Sequence, residues 1–364
     1  MNDSTRIGFD AKRLFHNRTG LGNYSRTLVR NLRAYLPKNK IYLFTPSIVE
    51  EDYTMEFLDT SKYTIVTPTH RKNKAYWRSL GIVSDIESHQ INIFHGLSNE
   101  LPFKKANGTI YVATIHDLIF KEYPSHYKYI DRMIYNRKTQ NIIRHADHIV
   151  AISNATQVDI ERYYQAPSQS ISVIYQSCEY QQQDRTEKEP NSLLYVSSIT
   201  ERKNLKTLLR AVERLAKDTD IHLHIVGSGG KYAQECKDYA KDNLGDDVTF
   251  YGNADYSTLK KLFAMSAVLI YPSIKEGFGI PIIEGMQSNM HVVTTRASSM
   301  VEAGGNAAHY VDDAYEDLAW ANVIKYVLNL PEPPSGIYAE HLNTFDGEAV
   351  TSQLVTLYKD LLRR

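Results

Sequence analysis

Short apolar runs alternate along this chain with longer stretches whose apolar residues recur at helical spacing. In the first half the runs are RIGFDAKRLF, IYLFTP, YTIVTP, INIFHG, TIYVATIHDLIF, DHIVAIS and SISVIY, separated by polar or helix-like segments such as KNKAYWRSLGIVSDIESH. Repeated strand-helix alternation predicts an α/β protein with a parallel, doubly wound sheet. Leu21, Tyr24, Leu28, Leu32 and Tyr35 predict a helix after the first run, and Tyr127, Ile130, Met133, Ile134, Arg137 and Ile142 predict a long one from Ser125 to Arg144. That second helix carries a basic and aromatic face with Lys128, Arg132, Arg137 and Lys138. Ser153 and Asn154 offer capping groups for a helix ending at Tyr164. Residues 176–191, QSCEYQQQDRTEKEPN, break the rhythm and read as an interdomain linker. A second series follows, with NSLLYVSSI, IHLHIVG, VTFYG, AVLIYP and HVVTT as strands, and the chain closes on an amphipathic helix in TFDGEAVTSQLVTLYKDLLRR. The picture is two doubly wound sheets joined by one linker, with a cleft at the boundary.

Length agrees with two domains: 364 residues exceed the usual size of one. Two cysteines, Cys178 and Cys236, point to neither a disulfide framework nor a zinc site, and Cys236 reads as core packing. The start MNDSTRIGFDAKR lacks the apolar stretch of a signal peptide, and no run approaches the ~20 apolar residues of a membrane span, so a cytoplasmic protein is expected. Net charge is zero, yet residues 1–180 hold 23 Lys+Arg against 17 Asp+Glu, leaving 19 against 25 for the remainder. Such segregation steers an anionic partner, holds a protein at an acidic membrane surface, or reflects attraction between domains. No nucleic acid is expected as a partner.

The densest chemistry lies in YPSIKEGFGIPIIEGMQSNM, residues 271–290. An apolar strand runs into Glu276, then a Gly277-Phe278-Gly279 turn, then a helix with Pro281 in its first turn and Glu284 one turn on. Glycines allow close approach of a ligand, and a helix start offers unpaired amides at a positive dipole end: an anion site. Two carboxylates flanking it would repel a phosphate, so each is expected to take neutral hydroxyls at the ends of a ligand with an anionic middle. A nucleotide sugar has that layout. Arg202 and Lys203 stand just before the helix LKTLLRAVERLAK, where adjacent cations face the positive dipole end and a polyanion would relieve the cost. Two strands of the first half end in histidines, His95 and His116, and Thr19-Gly20-Leu21-Gly22 follows the first strand, where open α/β sheets bind ligands. VGSGG, residues 226–230, lacks a full dinucleotide fingerprint and reads as a turn.

Glu276, seven residues, then Glu284, with Gly-Phe-Gly-Ile-Pro between, resembles the E-x7-E signature of family-4 retaining glycosyltransferases of the GT-B fold. The resemblance spans nearly the whole chain and implies two Rossmann-like domains facing a central cleft: an acceptor-side domain over 1–178, a nucleotide-sugar donor domain over 179–346, and a last helix, 347–364, packing back on the first. It puts Glu276 on the donor sugar, the backbone of Gly277, Phe278, Gly279 and Ile280 on sugar and phosphate, Glu284 on the ribose, and Arg202 and Lys203 on the diphosphate. It also implies a base contact around Tyr251, Gly252 and Asn253, a glycine loop at Gly20 and Gly22 near diphosphate or acceptor, and His116 near the reacting sugar, with Asp117 orienting it or fixing its loop. Ser298, Ser299 and Glu302 would support the donor helix. Where many relatives carry Gly-Arg after the first donor-domain strand, this chain has Ser197-Ser198, which leaves a second phosphate-binding arginine unassigned. The implied reaction is front-face, retaining transfer of a hexose, guessed to be mannose, from GDP-mannose or a UDP-hexose to a glycan or lipid-linked acceptor in surface polysaccharide synthesis. Domain closure, no cofactor beyond the donor, no metal, and contact of the basic helix with an anionic membrane complete the expectation. The alternatives are a glycosidase, a nucleotide-sugar epimerase or sugar phosphorylase, and a non-catalytic sugar-nucleotide-binding protein.

Overall fold

The computed structural model of the chain describes residues 2–68, 74–178 and 187–364. They fall into two compact units, one of residues 1–179 with 345–364, the other of residues 180–344.

In the first unit the apolar runs become β1 (Arg6–Asp10), β2 (Lys40–Phe44), β3 (Tyr63–Val66), β4 (Ile93–Gly96), β5 (Ile110–Ile115), β6 (His148–Ala151) and β7 (Ile171–Val173). They pair in parallel in the order β3-β2-β1-β4-β5-β6-β7. Winding outward from β1 to β3 and then restarting at β4 leaves a topological switch point between β1 and β4. Every strand points the same way, so all the loops after the strands lie along one edge of the sheet, the edge where such folds bind ligands. Phe94, Tyr111, Ile115 and Ile142 are buried in the core between sheet and helices, each such side chain stabilising by about 1.5–3 kcal/mol. The last helix, Gly347–Leu362, packs on helix Gly20–Tyr35 and is capped by the Asp346 carboxylate, which accepts from the Glu348 and Ala349 amides. Its Tyr358 is fully buried and its hydroxyl meets His95 Nδ1 at 2.6 Å.

The second unit holds β8 (Glu189–Val196), β9 (His222–Val226), β10 (Val248–Gly252), β11 (Ser266–Tyr271), β12 (His291–Thr295) and β13 (His309–Val311). Their order is β10-β9-β8-β11-β12-β13, again all parallel. The switch point here lies between β8 and β11.

Five local expectations shift. RIGFDAKRLF divides, the strand stopping at Asp10 and a short helix taking Lys12–His16. Pro190 and Asn191 belong to strand β8 and not to a linker; Pro190 stands ahead of the ladder to β9, which starts at Ser192, so its missing N–H breaks no bond there. Of the remaining linker stretch, residues 179–186 lie outside the described residues. TIYVATIHDLIF divides, the strand stopping at Ile115 and a short helix taking Ile119–Glu122. The helix expected from Ser125 starts at Tyr129, after a 3-10 turn over Pro124–His126. KNKAYWRSLGIVSDIESH contains a π turn, Trp77–Gly81, between α segments Lys74–Tyr76 and Ile82–Ser88; its first residues lie outside the described ones. β13 was not anticipated, because HYV is too short to show a period. Cys236 is buried in the core, as read.

Candidate active site

The switch point of the second unit collects the charges that the sequence left apart. The loop after β8 makes a 3-10 turn, Glu201–Lys203, and Asn204 in left-handed conformation (φ 54°) leads into helix Leu205–Leu215. The loop after the neighbouring β11 brings Glu276 alongside. Lys203 Nζ and Ser273 Oγ both donate to Glu276 Oε1, and Arg202 Nη1 lies 3.0 Å from the same oxygen. Lys203 also donates to the Tyr271 hydroxyl at 3.0 Å, with its ammonium 5.2 Å from that ring's centre. Lys203 is 8% exposed and the Glu276 side chain 10%. Burial pushes the Glu276 carboxyl up, but Lys203 and Arg202 outweigh it and hold the pKa down at about 2. The two cations before the helix are therefore stabilised by a carboxylate in the protein itself, a partner the sequence reading did not assign them.

Backbone bonds hold this arrangement in place. Ile274 N donates to Arg202 O at 3.0 Å, Thr294 and Thr295 hydroxyls donate to Tyr271 O and Ser273 O, and Arg202 Nη1 donates to Lys275 O. The hydroxyls of Ser298 and Ser299 both donate to Glu276 O, and Ser299 also reaches Phe278 O at 2.8 Å. The supporting serines thus act through the backbone. Gly279, with φ 120°, makes the corner that only glycine takes readily, and helix Ile280–Gln287 starts there with proline in its first turn. Glu284 sits one turn in, half-buried; among the described residues no donor meets its carboxylate, and burial alone pushes its pKa up to about 7. Gly252 (φ 62°) ends β10 on the same edge of the sheet, and a Cβ there would meet open space. Ser273 and Tyr271 were missed; the signal was their position, three and five residues before Glu276, in the loop after β11 and at the strand's last residue.

In the first unit, His116 follows β5 and is buried. Its Nε2 donates to Leu97 O at 2.8 Å, its Nδ1 accepts from Gln176 Nε2 at 3.0 Å, and Tyr24 packs edge-on at 4.6 Å. Burial and the nearby Arg13 charge hold its pKa down at about 4, against the Leu97 hydrogen bond. Both ring nitrogens are engaged, so His116 is a neutral wall and has no nitrogen to spare as a base. Asp117 Oδ1 accepts the Ile119 amide, which fixes the loop. His95 is buried between Tyr358 and Thr114 and held near 3 by burial. Gly20 and Gly22 form the first turn of helix Gly20–Tyr35 and not an open glycine loop. The Gly22 amide already donates to Thr19 O and Asn17 Oδ1, and a Cβ there would come 1.7 Å from Asn17 O, so this glycine serves close packing. Asp10, Arg78 and Glu100 form a buried ion-pair chain at this switch point that no sequence motif indicated.

Residues 18–179 match the family model "Glycosyltransferase Family 4" and residues 177–340 match "Glycosyl transferases group 1". The O-antigen chain mannosyltransferase RfbU of Salmonella typhimurium is 27% identical over 275 residues, 75% of each chain, and the O-antigen chain mannosyltransferase B of Escherichia coli is 23% identical over 94% of this chain and 96% of its own. Among solved structures, Anabaena HepE in complex with UDP and glucose superposes with a TM-score of 0.73 at 14% identity over 98% of this chain and 99% of its own, and WaaG, a glycosyltransferase of lipopolysaccharide biosynthesis, with 0.66 at 15% over 98% of each. With two parallel Rossmann-like sheets and family models covering both halves, the chain belongs to the family-4 glycosyltransferases of the GT-B fold.

Proposed function

We propose that this glycosyltransferase moves a hexosyl group, mannose, from a nucleoside-diphosphate sugar to a hydroxyl of a glycan or lipid-linked acceptor, with retention at the anomeric carbon, in surface polysaccharide synthesis. The observation that carries the reading is the cluster of Glu276, Arg202 and Lys203 at the ends of β8 and β11. A nearly dry pair of cations is already positioned there, and a diphosphate can share their charge at little reorganisation cost. Glu276, released in part from its cations, accepts from sugar hydroxyls, and Glu284 accepts from the ribose diol. As the C1–O bond to the diphosphate breaks, Arg202 and Lys203 neutralise the charge that grows on the leaving oxygen. The acceptor oxygen bonds to C1 from the same face and passes its proton to that phosphate. Glu276 is held by two cations and a serine, which suits a binding role better than that of a nucleophile. Mannose is favoured because both relatives named above are mannosyltransferases of O-antigen chains. The first unit is read by itself as binding the acceptor, with His116 as a neutral wall.

Thermal-shift titration with GDP-mannose, UDP-glucose and the free diphosphates tests the donor. GDP-mannose is expected to stabilise the wild type and to lose its effect in Lys203→Gln. Transfer should fall at least ~100-fold in Glu276→Ala, a loss of the size that accompanies removal of one transition-state contact. An inverted anomer in the product, or unchanged transfer by Glu276→Ala, would overturn the reading.

A membrane surface is the second part of the proposal. Tyr129, Ile130, Met133 and Ile134, at the start of helix Tyr129–His145, are 70, 69, 56 and 45% exposed, and Lys128, Arg132 and Arg137 flank them. Apolar side chains of this kind enter the headgroup boundary while the cations meet lipid phosphates. No helix among the described residues is long and apolar enough to cross a membrane, so the contact would be peripheral.

A further inference from the structure

Beside His116 the first unit contains a cavity of about 190 Å³ that the donor chemistry leaves unused, lined by Arg13, Leu21, Ser98, Tyr127 and Lys138. Ser98 is 6% exposed, and its Oγ has no hydrogen-bond partner among the described residues; the same holds for Arg13 Nε. A buried polar group left unpaired costs about 1–3 kcal/mol, and folded proteins keep few of them. Two on one cavity wall point to a ligand that completes them.

Charge says what kind. Arg78, aimed by the π turn, bridges Asp10 at 2.7 Å and Glu100, and Lys138 also takes Glu100. Glu100, on the cavity wall, is thus neutralised by two cations, and Arg13 is left with no carboxylate partner among the described residues. Asp117, also on the wall, has one oxygen committed to the Ile119 amide. The amino end of helix Gly20–Tyr35 reaches the cavity at Leu21, with the positive end of its dipole. His116, neutral and with both nitrogens bonded, adds no charge.

The geometry points to this cavity as a phosphate site for the acceptor: it holds a phosphate ester or diphosphate carried next to the sugar that receives the hexose, with Arg13 and the Ser98 hydroxyl donating to its oxygens. This rests on the glycosyl-transfer reading above. A lipid-linked diphosphate sugar and a free sugar phosphate offer the same chemistry.

The probe is inorganic pyrophosphate, titrated calorimetrically into full-length Arg202→Gln/Lys203→Gln protein so that the donor cations do not contribute. Saturable binding is expected there, weakened roughly tenfold or more by adding Arg13→Gln, the scale of one charge-assisted hydrogen bond, and to a smaller extent by Ser98→Ala. Arg13→Lys should recover part of the loss. Neither neutral variant should lower Tm, since each removes an unpaired group, so folding is checked in the same samples. No pyrophosphate binding in the double variant, or affinity indifferent to both Arg13→Gln and Ser98→Ala, overturns the site. Competition then separates the sources. Mannose 1-phosphate competing as well as a polyprenyl-diphosphate sugar in micelles supports a headgroup-only site, and stronger competition by the lipid form supports a lipid-linked acceptor. Equal competition by methyl mannoside overturns the proposal. A wrong donor reading would show separately, as GDP-mannose binding insensitive to Arg202→Gln and Lys203→Gln.

Discussion

Glu276 and Glu284 lie eight residues apart and titrate in opposite directions because one is paired with cations and the other meets no donor among the described residues. Glu284 is raised to about 7 by burial, so its ionised form is the disfavoured one in the folded protein. Its stability contribution is present below the unfolded pKa near 4.5 and is lost as pH rises through 7. Glu284→Gln should therefore raise the stability of the unliganded protein at pH 8 by about 2 kcal/mol, a value trimmed for partial exposure, readable as a higher Tm. Hydroxyl binding needs the carboxylate, so donor KM in the wild type should fall between pH 6 and 8 and lose that slope in Glu284→Gln. Glu276, held at about 2, has the reverse sign: its stabilisation is present above the unfolded pKa near 4.5 and is lost only as pH falls toward 2. At this scale the residue types and their spacing were readable from the chain. Which carboxylate carries a cation was not, because Lys203 and Glu276 are 73 positions apart.

The two glycines at the start of helix Gly20–Tyr35 look alike in sequence and differ in what surrounds them. A Cβ at Gly20 meets nothing within 4 Å, whereas one at Gly22 would come 1.7 Å from a backbone oxygen. Gly20→Ala should be neutral or stabilising by up to ~1 kcal/mol, while Gly22→Ala should destabilise by roughly 2 kcal/mol or more through displacement of the Asn17 loop; chemical denaturation of both variants checks the contrast. At helix Tyr129–His145 the exposed apolar turn makes the converse case. Ile130→Glu with Met133→Glu should reduce sedimentation with anionic liposomes at least severalfold while leaving Tm unchanged, since neither side chain packs in the core. Helical periodicity located this helix without saying which of its faces is buried. Only the packing of Thr139, Asn141 and Ile142, the face that is buried, shows that the first turns look outward.

On the scale of the whole molecule, the last helix is remote in sequence from the unit it completes. Val355, Tyr358 and Leu361 are buried, and Tyr358 is bonded to His95 near the first unit's ligand edge. Tyr358→Phe keeps the ring and removes the hydroxyl, leaving a buried His95 nitrogen unpaired; a loss of about 1–3 kcal/mol is expected by denaturant titration. Two parallel sheets with the same winding also place both candidate sites at switch points, β1/β4 and β8/β11, although the two share no motif.

The alternation of apolar runs and helical periods was enough to determine two doubly wound sheets, because strand and helix periods are local properties of the chain. Glycines, carboxylates and cations at strand ends likewise marked the candidate donor residues. Tertiary structure alone decided that Glu276 already neutralises Arg202 and Lys203, that Glu284 meets no donor among the described residues, that His116 has both nitrogens bonded, and that Arg13 and Ser98 line one cavity. Each of these depends on burial and on partners brought together from distant positions, and desolvation and pairing are quantities that no stretch of sequence carries by itself.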